Sequence, residues 1–222
     1  MTDQTTDLTP DLTWRDGIPI SVRFDDPYYS LDNGLAETRH VFLDGNDLPA
    51  RFTRPFHIAE LGFGTGLNLL ATLQLPRSHP LTFTSFEMYP LDKDAMAKAL
   101  SGFADVDAAP LLDQWDAALA GPIQIDAQTT FHLIIGDARE TLGQWDGQAD
   151  AWFLDGFSPA KNPALWEADL MTQVARHTAP QGTLATYTAA GFVRRALADA
   201  GFTVERTAGY GRKRHMTRAR MP

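Results

Sequence analysis

The chain has 222 residues, 44% hydrophobic and 21% charged, which is enough to bury one α/β core but short for two independent enzyme domains. Its longest apolar runs, such as Ala151-Trp152-Phe153-Leu154, fall far below the ~20 residues a membrane-spanning helix needs, so no membrane partner is expected. A net charge of −9, taken as a total, argues against a nucleic-acid partner, because phosphate contacts need Lys and Arg.

The start, MTDQTTDLTPDLTW, is acidic and Thr-rich, without the basic head and apolar run of a secretory signal, and there is no cysteine; a cytoplasmic protein is expected. Residues 12–15 and 18–22 flank Asp16-Gly17, which predicts a hairpin. Asp32 then stands where it could cap a helix over 33–43, in which Leu35, Thr38, Val41 and Phe42 recur at helical spacing. Residues 1–54 are expected to form this hairpin-and-helix extension, packed on a core spanning 55–222.

From Pro55 onward strand-like runs alternate with helical ones. Strands are predicted at 56–61, 81–87, 131–136, 151–155 and 183–188, and helices at 66–75, 91–100, 138–142, 163–177 and 192–200. Such alternation is the pattern of a doubly wound α/β fold, a parallel sheet covered on both faces. Residues 122–125 and 129–133 suggest a local hairpin, and 202–207 with 215–219, joined through Gly209-Tyr210-Gly211, predict a closing antiparallel strand pair.

The strongest local signal is Glu60-Leu61-Gly62-Phe63-Gly64-Thr65-Gly66-Leu67-Asn68, where the first core strand should turn into the first core helix. Glycines there let the backbone turn sharply and approach a ligand, and the helix start presents free N–H groups. The spacing is GxGxG, whereas pyrophosphate-binding dinucleotide folds favour GxGxxG, which disfavours a nicotinamide cofactor. Glu60 suits the cationic amino-acid end of S-adenosylmethionine (SAM) better than a phosphate. Glu87, ending the second strand, can accept hydrogen bonds from two ribose hydroxyls, although a plain strand-end carboxylate is the competing reading. Asp137, ending the third strand, can accept an adenine N–H, cap the helix that follows, or do both.

The fourth strand runs into Asp155-Gly156-Phe157-Ser158-Pro159-Ala160-Lys161-Asn162-Pro163, with Asn162 placed as an N-cap and Pro163 as the first helical residue. A carboxylate there can hold a substrate amine and accept its proton, which makes Asp155 the catalytic candidate and Phe157 its packing or stacking neighbour. Ser158 lacks the GxSxG elbow of a hydrolase. The six histidines share no metal-binding spacing, so no metal is expected. Residues 191–222 hold eight Lys/Arg against two acids, a net +6 that leaves −15 on the remainder. That asymmetry fits either an anionic partner or a solvated basic face.

Taken together, ELGFGTGLNLL, SFEMYPL, AWFLDGFSPAKNP, GTLATYTAAGFVRRALADAGF and GYGRKRHM, with FDDPYYSLDNGLAETRHVFLDGN nearer the start, resemble the methyltransferase half of bacterial MnmC and the stand-alone MnmD enzymes. The resemblance spans roughly residues 18 to 216. It implies a Rossmann-like class I SAM-dependent methyltransferase that converts 5-aminomethyl-2-thiouridine at the tRNA wobble position to 5-methylaminomethyl-2-thiouridine. By the same resemblance Glu60, Gly62, Phe63, Gly64, Thr65, Gly66, Asn68, Glu87 and Asp137 would line the SAM pocket, with Asp155 at the reacting amine. Tyr28, Tyr29, Asn33 and Glu37 would form a lid or substrate wall, though adjacent tyrosines also serve as packing residues. Lys161, Arg212, Lys213 and Arg214, with Arg194 and Arg195, are candidates for contacts with the tRNA anticodon loop. The fused relatives carry an FAD-dependent oxidase after the methyltransferase; no FAD is expected in this chain, which is either a stand-alone form supplied by a separate oxidase or other wobble-uridine enzymes upstream, or a fragment of such a fused enzyme. Competing expectations are a small-molecule amine methyltransferase on the same scaffold and a non-catalytic SAM- or RNA-binding subunit.

Overall fold

Asp16 and Gly17 turn the first hairpin because both adopt positive φ, 52° and 81°, the geometry a two-residue turn requires. In the computed structural model, which describes residues 10–222, strands β1 (Leu12–Arg15) and β2 (Ile18–Ser21) pair antiparallel across this turn, and β3 (Asp26–Pro27) adds to β2. Residues 1–9, which carry most of the acidic Thr-rich start, lie outside the described residues. Helix α1 (Gly34–Thr38) continues into a π-helical turn, Arg39–Leu43, and a 3-10 turn, Asp44–Asn46. Its cap is Asn33 rather than Asp32: Asn33 has the extended backbone of an N-cap, and its Oδ1 accepts the Ala36 N–H at 3.0 Å.

The core follows as β4 (Phe56–Leu61), α2 (Leu67–Leu73), β5 (Leu81–Glu87), α3 (Lys93–Leu100), α4 (Ala109–Leu112), α5 (Trp115–Ala120), β6 (Ile123–Asp126), β7 (Thr129–Ile135), α6 (Ala138–Thr141) and β8 (Ala149–Leu154). It ends with α7 (Ala168–Arg176), β9 (Thr178–Thr186), α8 (Gly191–Asp199), β10 (Thr203–Ala208) and β11 (His215–Arg220). The sheet order is β10-β11-β9-β8-β4-β5-β7-β6. Strands β4, β5, β7, β8 and β9 run parallel; β6 is antiparallel to β7, and β11 is antiparallel to both β9 and β10. The doubly wound sheet, its local hairpin and its closing antiparallel pair are thus as the apolar patterning predicts.

Two departures have local causes. The expected helix over 163–177 is broken into a 3-10 turn, Pro163–Trp166, and α7, with Glu167 extended between them. Trp166 is buried and its Nε1–H donates to the Phe157 carbonyl at 3.0 Å, so the indole holds the chain against the end of β8 at the point where a continuous helix would carry it past. Helices α4 and α5 were not expected because each is barely a turn or two, held by the burial of Leu111 and Trp115 rather than by a long periodic stripe.

Adjacent residues of β8 face opposite layers. Phe153 packs with Ile58, Phe83 and Phe131, whereas Trp152 packs with Leu61, Phe86 and Leu184. Phe42, Leu43, Leu48 and Phe52 enter the first of these layers, with the Phe42 and Phe153 ring centroids 5.4 Å apart. Wholly buried Asn46 secures the junction: its Nδ2 donates to the carbonyls of Phe42 at 3.0 Å and Trp152 at 3.3 Å, and its Oδ1 accepts the Thr183 hydroxyl at 2.6 Å. Asn46→Ala would leave the buried Trp152 carbonyl without this donor and Thr183 without its acceptor. We expect a loss of about 1–3 kcal/mol, read as a lowered urea midpoint at unchanged slope.

Candidate active site

Strand order reverses between β4 and β8, and in open α/β sheets the crevice beyond the strand ends at such a point is where ligands bind. A cleft of about 960 Å³ opens there, lined by the glycine loop, the ends of β5, β7 and β8, and the N-terminal extension. Gly62 has φ 86° and lies so near β8 that a Cβ would fall 3.0 Å from the Gly156 Cα; on Gly64, φ 56°, a Cβ would fall 3.2 Å from the Tyr28 ring. Phe63 lines the cleft from below, its buried ring stacked on Phe131 at 5.0 Å and Trp115 at 5.6 Å, which anchors the loop in the core. Thr65 and Asn68 also line the cleft, whereas Gly66, at the start of α2, does not.

Asp155 follows the last residue of β8. Its Oδ2 accepts the Asn68 Nδ2–H at 2.8 Å and its Oδ1 accepts the Gly156 N–H at 2.8 Å. Burial pushes its pKa up to about 7; those two hydrogen bonds and the charge of Lys213 oppose the rise, and Glu37 adds to it. The same Asn68 amide donates to Glu60 Oε1 at 2.8 Å, and its Oδ1 accepts the Thr38 hydroxyl at 2.8 Å. Glu60 has no solvent exposure, accepts the Ser85 hydroxyl at 2.7 Å on its other oxygen, and does not line the cleft. Burial holds its pKa well above the usual carboxylate range.

Glu87 lines the cleft with Oε1 accepting the Tyr89 N–H at 2.8 Å and Oε2 accepting the Gly64 N–H at 3.1 Å, which ties the strand end to the glycine loop. Burial raises its pKa against the pull of these backbone donors. Asp137 lines the cleft and also caps α6, accepting the Arg139 N–H at 2.9 Å; its hydrogen bonds to the Arg139 guanidinium hold its pKa down.

The extension roofs the cleft. Phe24 stacks on Phe157 at 4.7 Å and Tyr28 meets the same ring edge-on at 5.0 Å. Asp26 accepts the Ser158 N–H at 2.7 Å, and Asp25 pairs with Lys161. Lys161 is thereby spent on holding the roof and lies off the cleft wall. Tyr29 lines the cleft while its hydroxyl donates to the Ala99 carbonyl at 3.0 Å, a packing role; Asn33 serves as the cap of α1 and does not reach the cleft. Arg212 and Lys213 stand at the mouth, whereas Arg214 points elsewhere.

Among residues not singled out from sequence, Tyr187 matters most: its ring lines the cleft and its hydroxyl donates to the Gly156 carbonyl at 2.7 Å. Its position just past the end of a parallel strand was a legible signal. Met88 and Tyr89, just past the end of β5, carry the same signal; Phe24 and Leu165 also line the wall, and nothing in their local sequence marks them. Among the described residues no group of three or more His, Asp or Glu is placed to hold a metal ion, and no helix is long and apolar enough to cross a membrane.

Residues 104–222 match the family model described as S-adenosyl-L-methionine-dependent methyltransferase. The tRNA 5-methylaminomethyl-2-thiouridine biosynthesis bifunctional protein MnmC of Chromohalobacter salexigens is 46% identical over 225 residues, covering 93% of this chain and 32% of that protein. Its namesake in Caulobacter sp. is 44% identical over 229 residues, covering 95% of this chain and 38% of the relative. The chain therefore spans about a third of the length of the curated relatives it matches. Among solved structures, MNMC2 from Aquifex aeolicus superposes with a TM-score of 0.73 at 23% identity, covering 95% of this chain and 70% of that one. Spermidine synthase from Thermotoga maritima follows the same fold at TM-score 0.56 and 10% identity, covering 95% and 71%. With a matching model over more than half its length, the chain belongs to the S-adenosyl-L-methionine-dependent methyltransferase family.

Proposed function

We propose that this chain transfers a methyl group from SAM to the aminomethyl nitrogen of wobble 5-aminomethyl-2-thiouridine in tRNA, giving 5-methylaminomethyl-2-thiouridine. The observation that carries this reading is the Asp155 carboxylate, held by the Asn68 amide at the end of β8 and facing the same cleft as the glycine loop. Identity of 44–46% to MnmC proteins along nearly the whole chain supports the substrate. We also propose that residues 1–54 serve as an extension to a core of 55–222, that the protein acts in the cytoplasm, and that its substrate comes from an FAD-dependent oxidase activity or from other wobble-uridine enzymes upstream.

The residues present fit SAM. The cleft, about 960 Å³, lies at the upper end of the ~300–1,000 Å³ typical of small-ligand pockets, room for a cofactor and a substrate group together. Gly62 to Thr65 would offer backbone against the amino-acid end, Glu87 would accept the ribose hydroxyls, and Asp137 would accept the adenine amine. Glu60, sealed behind Asn68, would hold that amide in place and not touch the cofactor.

SAM, when bound, supplies a sulfonium methyl carbon open to displacement, its S–C electron pair returning to sulfur. The substrate amine, a primary amine on a methylene, arrives as an ammonium at neutral pH and has no lone pair to offer. Asp155 takes one proton from it, and the freed lone pair forms the new N–C bond, leaving a secondary ammonium; one proton is released per turnover. Phe24, Tyr28 and Phe157 exclude water above the reacting atoms and offer aromatic faces to an unstacked base. Arg212, which lines the cleft and is 90% exposed, would meet the anticodon backbone.

With labelled SAM, the protein is expected to methylate tRNA bearing the aminomethyl group and to leave tRNA lacking it unlabelled, as read by nucleoside analysis. No transfer to either, from protein that binds SAM, would overturn the substrate assignment. Because Asp155 must be ionised to accept a proton, kcat/KM is expected to climb with pH through an inflexion at about 7 and to level above it. Asp155→Asn should lower kcat by about 10²–10⁴-fold. A profile without that inflexion, or an Asn variant of undiminished kcat, would remove Asp155 from the role of proton acceptor.

A further inference from the structure

The turn between β10 and β11 carries Lys213 back across the cleft mouth. Its Nζ lies 2.9 Å from Glu37 Oε1 and 3.8 Å from the centroid of the Tyr187 ring. Both partners are fixed. Glu37 is buried on α1, and the Tyr187 hydroxyl is anchored to the Gly156 carbonyl, one residue beyond Asp155. All four residues, Glu37, Asp155, Tyr187 and Lys213, line the same cleft. An alkylammonium therefore already sits between a carboxylate and an aromatic face beside the proposed catalytic carboxylate, and that pairing is the chemistry by which proteins recognise alkylammonium groups.

The substrate in the proposed reaction presents the same group, a primary ammonium on a methylene. We propose that Glu37 and the Tyr187 ring form the subsite that receives the substrate's aminomethyl ammonium, and that Lys213 occupies this subsite in the free enzyme as an internal stand-in which the substrate displaces. Two like charges do not share one box, so entry of the substrate requires the lysine to leave. Its anchorage suits departure: the side chain is 43% exposed on a surface turn, and the neighbouring Arg212, 90% exposed, reaches Asp32 only at 3.6 Å. A displaced Lys213 would swing out into solvent at the mouth. Only the aminomethylated uracil has to displace the lysine, so the stand-in weakens binding of that tRNA alone and lowers the preference for it in the unaltered protein.

The inference rests on the amine-methylation reading, and the test separates the two. Affinities of the full chain, saturated with S-adenosylhomocysteine to prevent turnover, are measured for tRNA with and without the aminomethyl group. The ratio of these affinities is the readout, alongside methyl transfer by the unaltered protein. Lys213→Met is expected to raise the preference for aminomethylated tRNA by about threefold to tenfold, the weight of one cation–π contact. Glu37→Gln, equal in shape, should bring the preference close to one. Equal weakening of both tRNAs by Lys213→Met would make the lysine a phosphate contact, and would overturn the inference. So would a preference unchanged in both variants while methyl transfer persists. Absence of methyl transfer by unaltered protein would overturn the functional reading itself, and the inference with it.

Discussion

One side-chain amide organises the centre of this molecule. Asn68 Nδ2 donates to Glu60 and to Asp155 at 2.8 Å each, so a single neutral donor stands between two carboxylates. Both pKa values are raised by burial, and the charges of Asp155 and Glu87 raise that of Glu60 further. A shared donor lowers that repulsion at no cost in net charge, which a lysine or arginine at this place would change. It also fixes the Asp155 oxygens, since Asn68 is itself held by the Thr38 hydroxyl and sits in the first turn of α2. The hidden carboxylate thus supports the exposed one, and the glycine loop between them is what brings strand end and helix start close enough for the chain of contacts to close.

Thr38 belongs to α1, so the segment before the sheet reaches the Asn68–Asp155 contact directly. The same short helix supplies Glu37, and the strand segment before it supplies Phe24, Asp26 and Tyr28 to the roof. Burial of Phe42 and Leu43 in the sheet's hydrophobic layer and the hydrogen bonds of Asn46 hold α1 in register with the core. Stability and site geometry are in this way supplied by the same segment.

Charge is arranged on the same plan. The basic end of the chain folds back on the acidic extension: Arg218 and Arg220 meet Asp47, Arg212 meets Asp32, and Lys213 meets Glu37. Being largely exposed, the Asp47 and Asp32 pairs contribute little stability. The two pairs on the β10–β11 turn, Arg212 with Asp32 and Lys213 with Glu37, place that turn against the extension. Arg194, Arg206 and Arg214 gather instead around His215, whose pKa is held down by burial first and then by these three cations. A protein with a net charge of −9 thereby gathers a local cluster of cations around His215.

The sequence by itself determined the sheet. Apolar runs of strand length, separated by helical stripes, leave a parallel doubly wound sheet as the arrangement that buries both faces, and β4 and β5 begin and end where the runs do. It also marked Asp155, Glu87 and Asp137, because the ends of parallel strands converge on one crevice whatever the details. The tertiary structure alone decided what each carboxylate does. Glu60 and Asp155 are both strand-end acids in sequence, yet one is sealed and one faces the cleft, a difference set by which side of the Asn68 amide each occupies. Likewise Asn33 reads as a wall residue and caps a helix, and Lys161 and Lys213 both read as RNA contacts, yet Lys161 pairs with Asp25 and Lys213 lies against Tyr187. These assignments depend on contacts between segments far apart in the chain. Local patterning encodes periodicity and burial, but it does not say which distant side chain will be there to meet a given group.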